Sequence, residues 1–218
     1  MGTNHNTITL PEAIAAISSY NSGVYKGRRN VDIDNEARQL FLDGLGKTPS
    51  QIKDQVRFIG QDYGGTGFTL AGQQLPDRIA QEIYSARDEY AARTSSASPL
   101  VGCVPDQELV RFLYHPFEQV FKSPKGKRTF NNWLTWGTKF WHFLNPETFP
   151  MRDSRAKRFF SVTDRSNPIQ TYCEYLEIFR ASMISHQGWF PRLRQVDDGQ
   201  AWNDVKLWDK VAYEAGAK

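Results

Sequence analysis

The stretch from residue 129 to residue 160 constrains the fold most, and it reads TFNNWLTWGTKFWHFLNPETFPMRDSRAKRFF. Its apolar residues recur every three or four positions, the spacing that places side chains on one face of an α-helix. These positions are Phe130, Trp133, Leu134, Gly137, Trp141 and Leu144. Further aromatic residues lie between them, so we predict a helix that is buried on most sides. Asn145-Pro146 predicts its end, because the residue before a proline disfavours helical geometry.

The remaining sequence also shows helical spacing and contains no alternating strand pattern of useful length. We predict further helices at about residues 10–20, 32–45, 50–59, 75–93, 106–121, 153–160, 168–185 and 202–212. Residues 21–30 predict a loop, and residues 61–74 predict a flexible loop or short hairpin, because both are rich in glycine and polar residues. The expected fold class is all-α, with eight or more helices and no repeat period.

The segment TSSASP, residues 94–99, is the best candidate for a linker, since small polar residues followed by proline favour irregular structure. It divides the chain into an expected N-terminal helical lobe, residues 1–98, and an expected C-terminal helical lobe, residues 99–218. The second lobe carries the aromatic helix. We leave open that part of the C-terminal chain packs on the N-terminal lobe.

The composition excludes several classes of protein. The 218 residues contain no apolar run of about 18, which a membrane-spanning helix requires, and the N-terminus lacks the pattern of a secretory signal. Cys103 and Cys173 are far apart and lack CxxC spacing, so neither a disulfide framework nor a four-cysteine iron–sulfur cluster is expected. The four histidines lack ligand spacing, so we predict no metal and no cofactor. A reduced, cytoplasmic protein without a membrane partner is expected.

Basic residues are concentrated around the aromatic helix. Between residues 122 and 158 there are nine Lys or Arg and two acids, a net charge of +7, whereas the whole chain carries only +3. A localised basic segment predicts an anionic partner on one face of the protein. The alternative is that these charges are solvated and merely flank a helix.

One carboxylate, Asp153, lies inside this basic segment and is followed by the residues SRAKR. It is well placed to cap the next helix, by accepting hydrogen bonds from backbone amides and pairing with an arginine. It is also suited to act as a working carboxylate beside a polyanion, since neighbouring cations favour its ionised form. The sequence leaves both interpretations open.

The segment WGTKFWHFLNPETFPMRDSRAKRFF resembles the catalytic segment of the helix-hairpin-helix DNA glycosylase superfamily. In that family a glycine-containing hairpin leads to a helix, and a loop then ends in an Asp, a small hydroxyl residue and basic residues. Residues 153–158, DSRAKR, match the end of that loop, and Gly137 and Lys139 match the hairpin glycine and the lysine of the bifunctional members. The chain departs from the pattern because only Gly137 remains of the paired glycines. The interval of 14 residues from Lys139 to Asp153 is also shorter than usual.

The resemblance implies a two-lobed all-α enzyme that cleaves the N-glycosidic bond of a damaged or modified base. Asp153 would stabilise the oxocarbenium-like transition state and activate water, and Lys139 is the second catalytic candidate. Double-stranded DNA with a flipped base is the expected partner of a monomeric protein, nucleoid-associated if it is bacterial or from a phage. The expected DNA contacts are Gly137, Ser154, Arg155, Lys157, Arg158, Lys125, Lys127 and Arg128. The expected base pocket contains Trp136, Phe140 and His142.

Several alternatives remain open from the residues themselves. Lys139 also fits a snorkelling side chain on the exposed edge of a buried helix, and the aromatic residues of the same helix also fit a core. The whole protein also fits a non-catalytic nucleic-acid-binding scaffold, or an enzyme that acts on hypermodified bases in a phage or defence setting. A helical interaction protein that binds an acidic partner is the remaining class.

Overall fold

Eleven α-helices make up most of the described chain in the computed structural model, which covers residues 8–61, 63, 74–120 and 130–217. The helices are α1 (Leu10–Ser22), α2 (Asn30–Leu40), α3 (Pro49–Gln61), α4 (Gln74–Ser85), α5 (Arg87–Ser96), α6 (Gln107–Val120), α7 (Phe130–Leu144), α8 (Ser154–Phe159), α9 (Pro168–Ser185), α10 (Phe190–Asp197) and α11 (Asp204–Ala215). A 3₁₀ turn, Gln187–Trp189, precedes α10. The all-α prediction is confirmed. No helix in these ranges is long and apolar enough to cross a membrane.

Two local predictions were wrong. Residues 75–93 do not form one helix, because the helix breaks at Ala86, whose carbonyl starts α5 by accepting from Tyr90 N at 2.8 Å. The expected loop at residues 21–30 contains a small antiparallel hairpin of β1 (Val24–Tyr25) and β2 (Arg28–Arg29). Its turn residues Lys26 and Gly27 both have positive φ, 51° and 78°, which suits a two-residue hairpin turn.

The aromatic helix α7 lies at the centre of the core, as predicted. Residues 136–143 are all buried, and the helix packs against α3, α5, α6 and α9. Trp141 is fully buried and donates from Nε1 to the Tyr90 hydroxyl at 2.7 Å, which satisfies the indole N–H inside the core. Gly137 lies within this helix, and a Cβ at that position would be 3.0 Å from the Trp141 ring. The hairpin turn expected at Gly137 is therefore replaced by continuous helix.

The expected linker is fixed by hydrogen bonds to the loop that follows α7. Helix α5 extends to Ser96, and the Thr148 hydroxyl donates to the carbonyl of Ser98 at 2.9 Å. Leu100 N donates to Glu147 O at 2.9 Å in the same region. The helical structure of residues 94–96 and these bonds correct the prediction of irregular structure there. The division of the chain into two lobes stays a prediction.

The two ends of the chain meet beside the aromatic helix. Helix α1 packs against α10 and α11, and α11 in turn packs against the short helix α8. The contact between α11 and α8 is tight at Gly216, because a Cβ there would lie 1.9 Å from the carbonyl oxygen of Arg155. This close approach holds the start of α8 against the C-terminal helix.

We expect Gly216→Ala to destabilise the protein, because the added methyl group must push the backbone of α8 away. An overpacked contact of this kind costs about 1–3 kcal/mol in the free energy of unfolding, which urea denaturation measures. Gly188→Ala is the matched control, because no atom lies within 4 Å of a Cβ at that position. Equal stability of the two variants would contradict the close contact at Gly216.

Candidate functional site

A pocket of about 270 Å³ opens where α1, α2, α7, α8 and α11 approach one another. Both halves of the chain contribute to its wall. The lining residues that carry chemistry are Tyr20, Lys139, Asp153, Arg155, Lys206 and Asp209. The structure thus brings the two predicted catalytic residues, Asp153 and Lys139, to the same pocket.

Asp153 is the N-cap of α8 and at the same time lines this pocket. Its Oδ1 accepts hydrogen bonds from the backbone nitrogens of Arg155 and Ala156, at 2.9 and 2.8 Å. Its side chain is half-buried, and within the described ranges Oδ2 accepts no hydrogen bond. The capping interpretation and the pocket interpretation therefore hold together, because each uses a different oxygen.

The loop that carries Asp153 is held by buried side chains from three helices. Residues 149–152 are buried, so their backbone polar groups need partners within the protein. Each side chain that forms a hydrogen bond with the backbone of this loop is at most 4% exposed. The bonds are His142 Nδ1 to Phe149 O at 2.8 Å, Tyr172 OH to Pro150 O at 2.9 Å, Tyr175 OH to Met151 O at 2.8 Å, Met151 N to Asp209 Oδ2 at 3.2 Å, and Arg152 N to Thr138 Oγ1 at 3.1 Å.

These bonds fix the position of Asp153 before any ligand arrives. A carboxylate on a freely moving loop would have to be ordered during binding, whereas this one is held by α7, α9 and α11 together. An anchored charge stabilises an opposite charge that develops nearby without a cost of reorganisation. The geometry suits Asp153 to electrostatic catalysis.

Lys139 is buried in the pocket wall and does not lie on an exposed helix edge. It is 9% exposed, and its Nζ is 3.4 Å from the carbonyl oxygen of Tyr63 and 5.4 Å above the Tyr63 ring. Burial lowers the pKa of Lys139, while the charge of Asp153 acts in the opposite direction. A lowered pKa raises the fraction of neutral amine, which is the nucleophilic form of a lysine.

A buried cluster beside Lys139 was not anticipated from the sequence. Lys206 is fully buried and donates from Nζ to Asp34 Oδ1 at 2.7 Å and to the Tyr63 hydroxyl at 2.8 Å. The Tyr20 hydroxyl donates to Asp34 Oδ2 at 3.0 Å. The available sequence signal was that Lys206, Asp209 and Lys210 alternate with the apolar residues Val205, Leu207, Trp208 and Val211 in α11, since charges rarely occupy buried positions unless they are paired.

The three residues expected to form the base pocket do not line it. Phe140 is fully buried and packs edge-on against the rings of Phe41 and Phe117, and Trp136 is buried against Phe117. His142 is also fully buried. Among the described side chains of α7, residues 134–144, Thr135 and Lys139 reach the pocket. The described aromatic rings that line the pocket belong to Tyr20, Tyr25, Tyr63 and Tyr213.

The described cations of the basic segment all have partners within the chain. The Arg155 guanidinium lies 4.3 Å from the centre of the Tyr213 ring, and Lys157 pairs with Asp164 at 2.6 Å. Arg158 donates to the carbonyl of Gly216 at 2.9 Å, and the buried Arg152 pairs with Asp164. Ser154 is exposed at the pocket rim. Lys125, Lys127 and Arg128 lie outside the described residues.

Comparison with protein-family models, with curated proteins and with solved structures found no match to this chain. Within the described ranges, no three His, Cys, Asp or Glu side chains converge in a way that would hold a metal ion. The geometry of the pocket is therefore the structural observation that bears on function.

We expect acid to destabilise the protein through His142. Burial, together with the charge of Lys206, lowers the pKa of His142 from its usual 6.5 to about 3. Below pH 6.5, His142 becomes protonated in the unfolded chain but stays neutral in the folded protein. The free energy of unfolding therefore falls with pH between about 6.5 and 3, by about 1.4 kcal/mol per pH unit.

The measurement is urea denaturation of the wild type and of His142→Gln at several pH values. The variant keeps a donor for the Phe149 carbonyl but does not titrate, so its stability should fall less steeply with acid. His186→Gln, which removes a half-buried imidazole that bonds to the Ser182 carbonyl and forms none of the bonds to this loop, is the control. Identical pH profiles for wild type and His142→Gln would show that His142 titrates normally.

Proposed function

We propose that this protein is a DNA glycosylase-like enzyme, which cleaves the N-glycosidic bond of a damaged or modified base. The observation that carries the proposal is the pocket shared by Asp153 and Lys139, with one oxygen of Asp153 not used by the helix cap. The resemblance of residues 136–160 to the catalytic segment of helix-hairpin-helix glycosylases pointed to the same two residues. The helix-hairpin-helix architecture itself is part of this proposal.

Asp153 is suited to the chemistry of this reaction. As the base departs, positive charge builds on the sugar, and a fixed carboxylate beside it lowers the energy of that state. The same carboxylate accepts a proton from the water that attacks the sugar carbon. The anchored loop at residues 149–152 supports this role, because a misplaced charge loses most of its effect.

The dimensions and walls of the pocket suit one base and its sugar. A volume of about 270 Å³ lies just below the roughly 300–1,000 Å³ typical of pockets for drug-sized ligands, so a single flipped nucleoside is the appropriate size class. Tyrosine rings offer surfaces on which a base can stack. Tyr25 and Tyr213 lie at this pocket.

DNA binding would use exposed cations near the pocket. Arg158 is exposed, and Arg155 and Lys157 are partly exposed beside it. The partners of Arg155 and Lys157, which are Tyr213 and Asp164, are half-buried, and a partly exposed ion pair such as Lys157–Asp164 contributes little stability. A phosphate group can therefore replace such a partner at small cost. Binding of this type weakens steeply with added salt.

We expect Asp153→Asn to abolish base release while leaving folding intact. Asparagine caps a helix as well as aspartate does, so only the charge is lost. Base release from duplexes that carry one damaged or hypermodified base should fall by on the order of 100-fold or more. The assay detects abasic sites by strand scission after alkali. Melting temperature and DNA affinity should stay close to the wild-type values.

Two further variants separate the contribution of the helix cap to stability from the contribution of the charge to base release. Asp153→Ala removes the cap and the charge, and should therefore lose base release and also about 0.5–2 kcal/mol of stability. Asn167→Ala removes the N-cap of α9, away from the pocket, and should lose stability but keep activity.

Salt-dependent DNA binding without any abasic product would identify a non-catalytic nucleic-acid-binding protein. The absence of salt-dependent DNA binding would favour a helical protein with an acidic protein partner.

Lys139 would give the enzyme a second, lyase activity. In its neutral form the amine attacks the sugar carbon, the base leaves, and an imine joins the lysine to the opened sugar. Borohydride reduces such an imine to a stable protein–DNA adduct, which we expect with the wild type and not with Lys139→Ala. An adduct that persists in Lys139→Ala would exclude this residue. Lys47→Ala, at an exposed cation that does not line the pocket, is the control.

A further inference from the structure

Asp209 is a buried carboxyl group at the pocket that the proposed chemistry does not use. It lies on α11, one turn after Lys206, and its side chain is 4% exposed. Its Oδ2 accepts the Met151 N–H at 3.2 Å, and Met151 and Asp209 both line the pocket. Among the described residues, its other oxygen, Oδ1, has no hydrogen-bond partner. A buried polar atom without a partner needs an explanation.

Among the residues that the structure describes, no Lys or Arg pairs with Asp209. His142 Nδ1 is 3.7 Å from Oδ2, but its hydrogen is donated to the Phe149 carbonyl, and burial lowers the pKa of His142 to about 3, so that ring is neutral at pH 7. The nearby cation, Lys206, is bonded to Asp34. Burial raises the pKa of Asp209 well above its usual value, which favours the neutral acid. Because Oδ2 is occupied as an acceptor, the proton of the acid belongs on Oδ1.

We propose that Asp209 is a ligand-recognition residue: a small rotation of its carboxyl group turns Oδ1–H, which is buried before binding, toward the pocket, where it donates a hydrogen bond to an acceptor atom of the heterocycle that enters. The inference rests on the proposed function and specifies its substrate class. The preferred base presents a ring nitrogen or a carbonyl oxygen toward α11, and a base with a donor at that position is excluded. A site built around a buried hydrogen-bonding group discriminates strongly against ligands that leave the group unpaired.

Infrared difference spectroscopy tests the protonation directly. The spectrum of the wild type minus that of Asp209→Asn, at neutral pH, should contain the carbonyl stretch of a protonated carboxylic acid. That band should shift when a duplex with a single hypoxanthine, uracil or alkylated adenine binds, and not when the same duplex with a tetrahydrofuran abasic analogue binds. An absent band, or a band that no base shifts, overturns the proposal.

Variants test the contribution to binding. Asp209→Asn keeps an acceptor for Met151 N and a donor toward the pocket, so its affinity for the preferred base should stay within about threefold of the wild type. Asp209→Leu removes the donor and should lose about tenfold or more of that affinity. Its affinity for the abasic analogue should not change. If Asp209→Leu does not fold, the infrared measurement on the wild type and Asp209→Asn still tests whether Asp209 is protonated and whether it contacts the bound base.

The outcomes separate this inference from the function on which it rests. A wild type that binds no duplex, or releases no base, removes the proposed glycosylase function. A wild type that releases a base, together with an Asp209→Leu variant that binds and releases it equally well, leaves that function standing and overturns the role of Asp209.

Discussion

The structure of the site depends on one requirement: the buried backbone of residues 149–152 must find hydrogen-bond partners inside the protein. A buried loop without regular structure cannot satisfy its own N–H and C=O groups, and each unsatisfied group costs about 1–3 kcal/mol. Here the partners are side chains from α7, α9 and α11. The aromatic core therefore does more than fill space, because it fixes the loop that ends at Asp153.

Burial also explains how the charged groups around the pocket divide into different roles. Lys206 and Asp34 are both nearly inaccessible and pair with each other, so neither charge is left without a partner in the interior. Asp153 keeps one oxygen available at the pocket, whereas Asp209 lies deeper, where the neutral acid is favoured. Two carboxyl groups at one pocket thus differ in solvent exposure and in hydrogen bonding, which suits them to different roles.

Local signals in the sequence were sufficient for α7 and for the cap at Asp153. The spacing of apolar residues, the Asn145-Pro146 stop and the residue types of DSRAKR act within one or two helical turns, so they can be recognised without knowledge of the fold. The pairing of Lys206 with Asp34 could not be recognised, because 172 positions separate the two residues. Trp136, Phe140 and His142 were expected at a base pocket and lie in the core instead, because which face of an aromatic helix meets the core depends on its neighbours.

The dual use of Asp153 shows why the two interpretations of its sequence context were not exclusive. An N-cap needs only one carboxylate oxygen, and the bonds to Arg155 N and Ala156 N both go to Oδ1. The cap therefore orients the second oxygen, in the same way that hydrogen bonds orient other working side chains. A helix that begins at a pocket wall gives a carboxylate both a fixed direction and a place to act. Asp153 can therefore stabilise α8 through one oxygen and act at the pocket through the other.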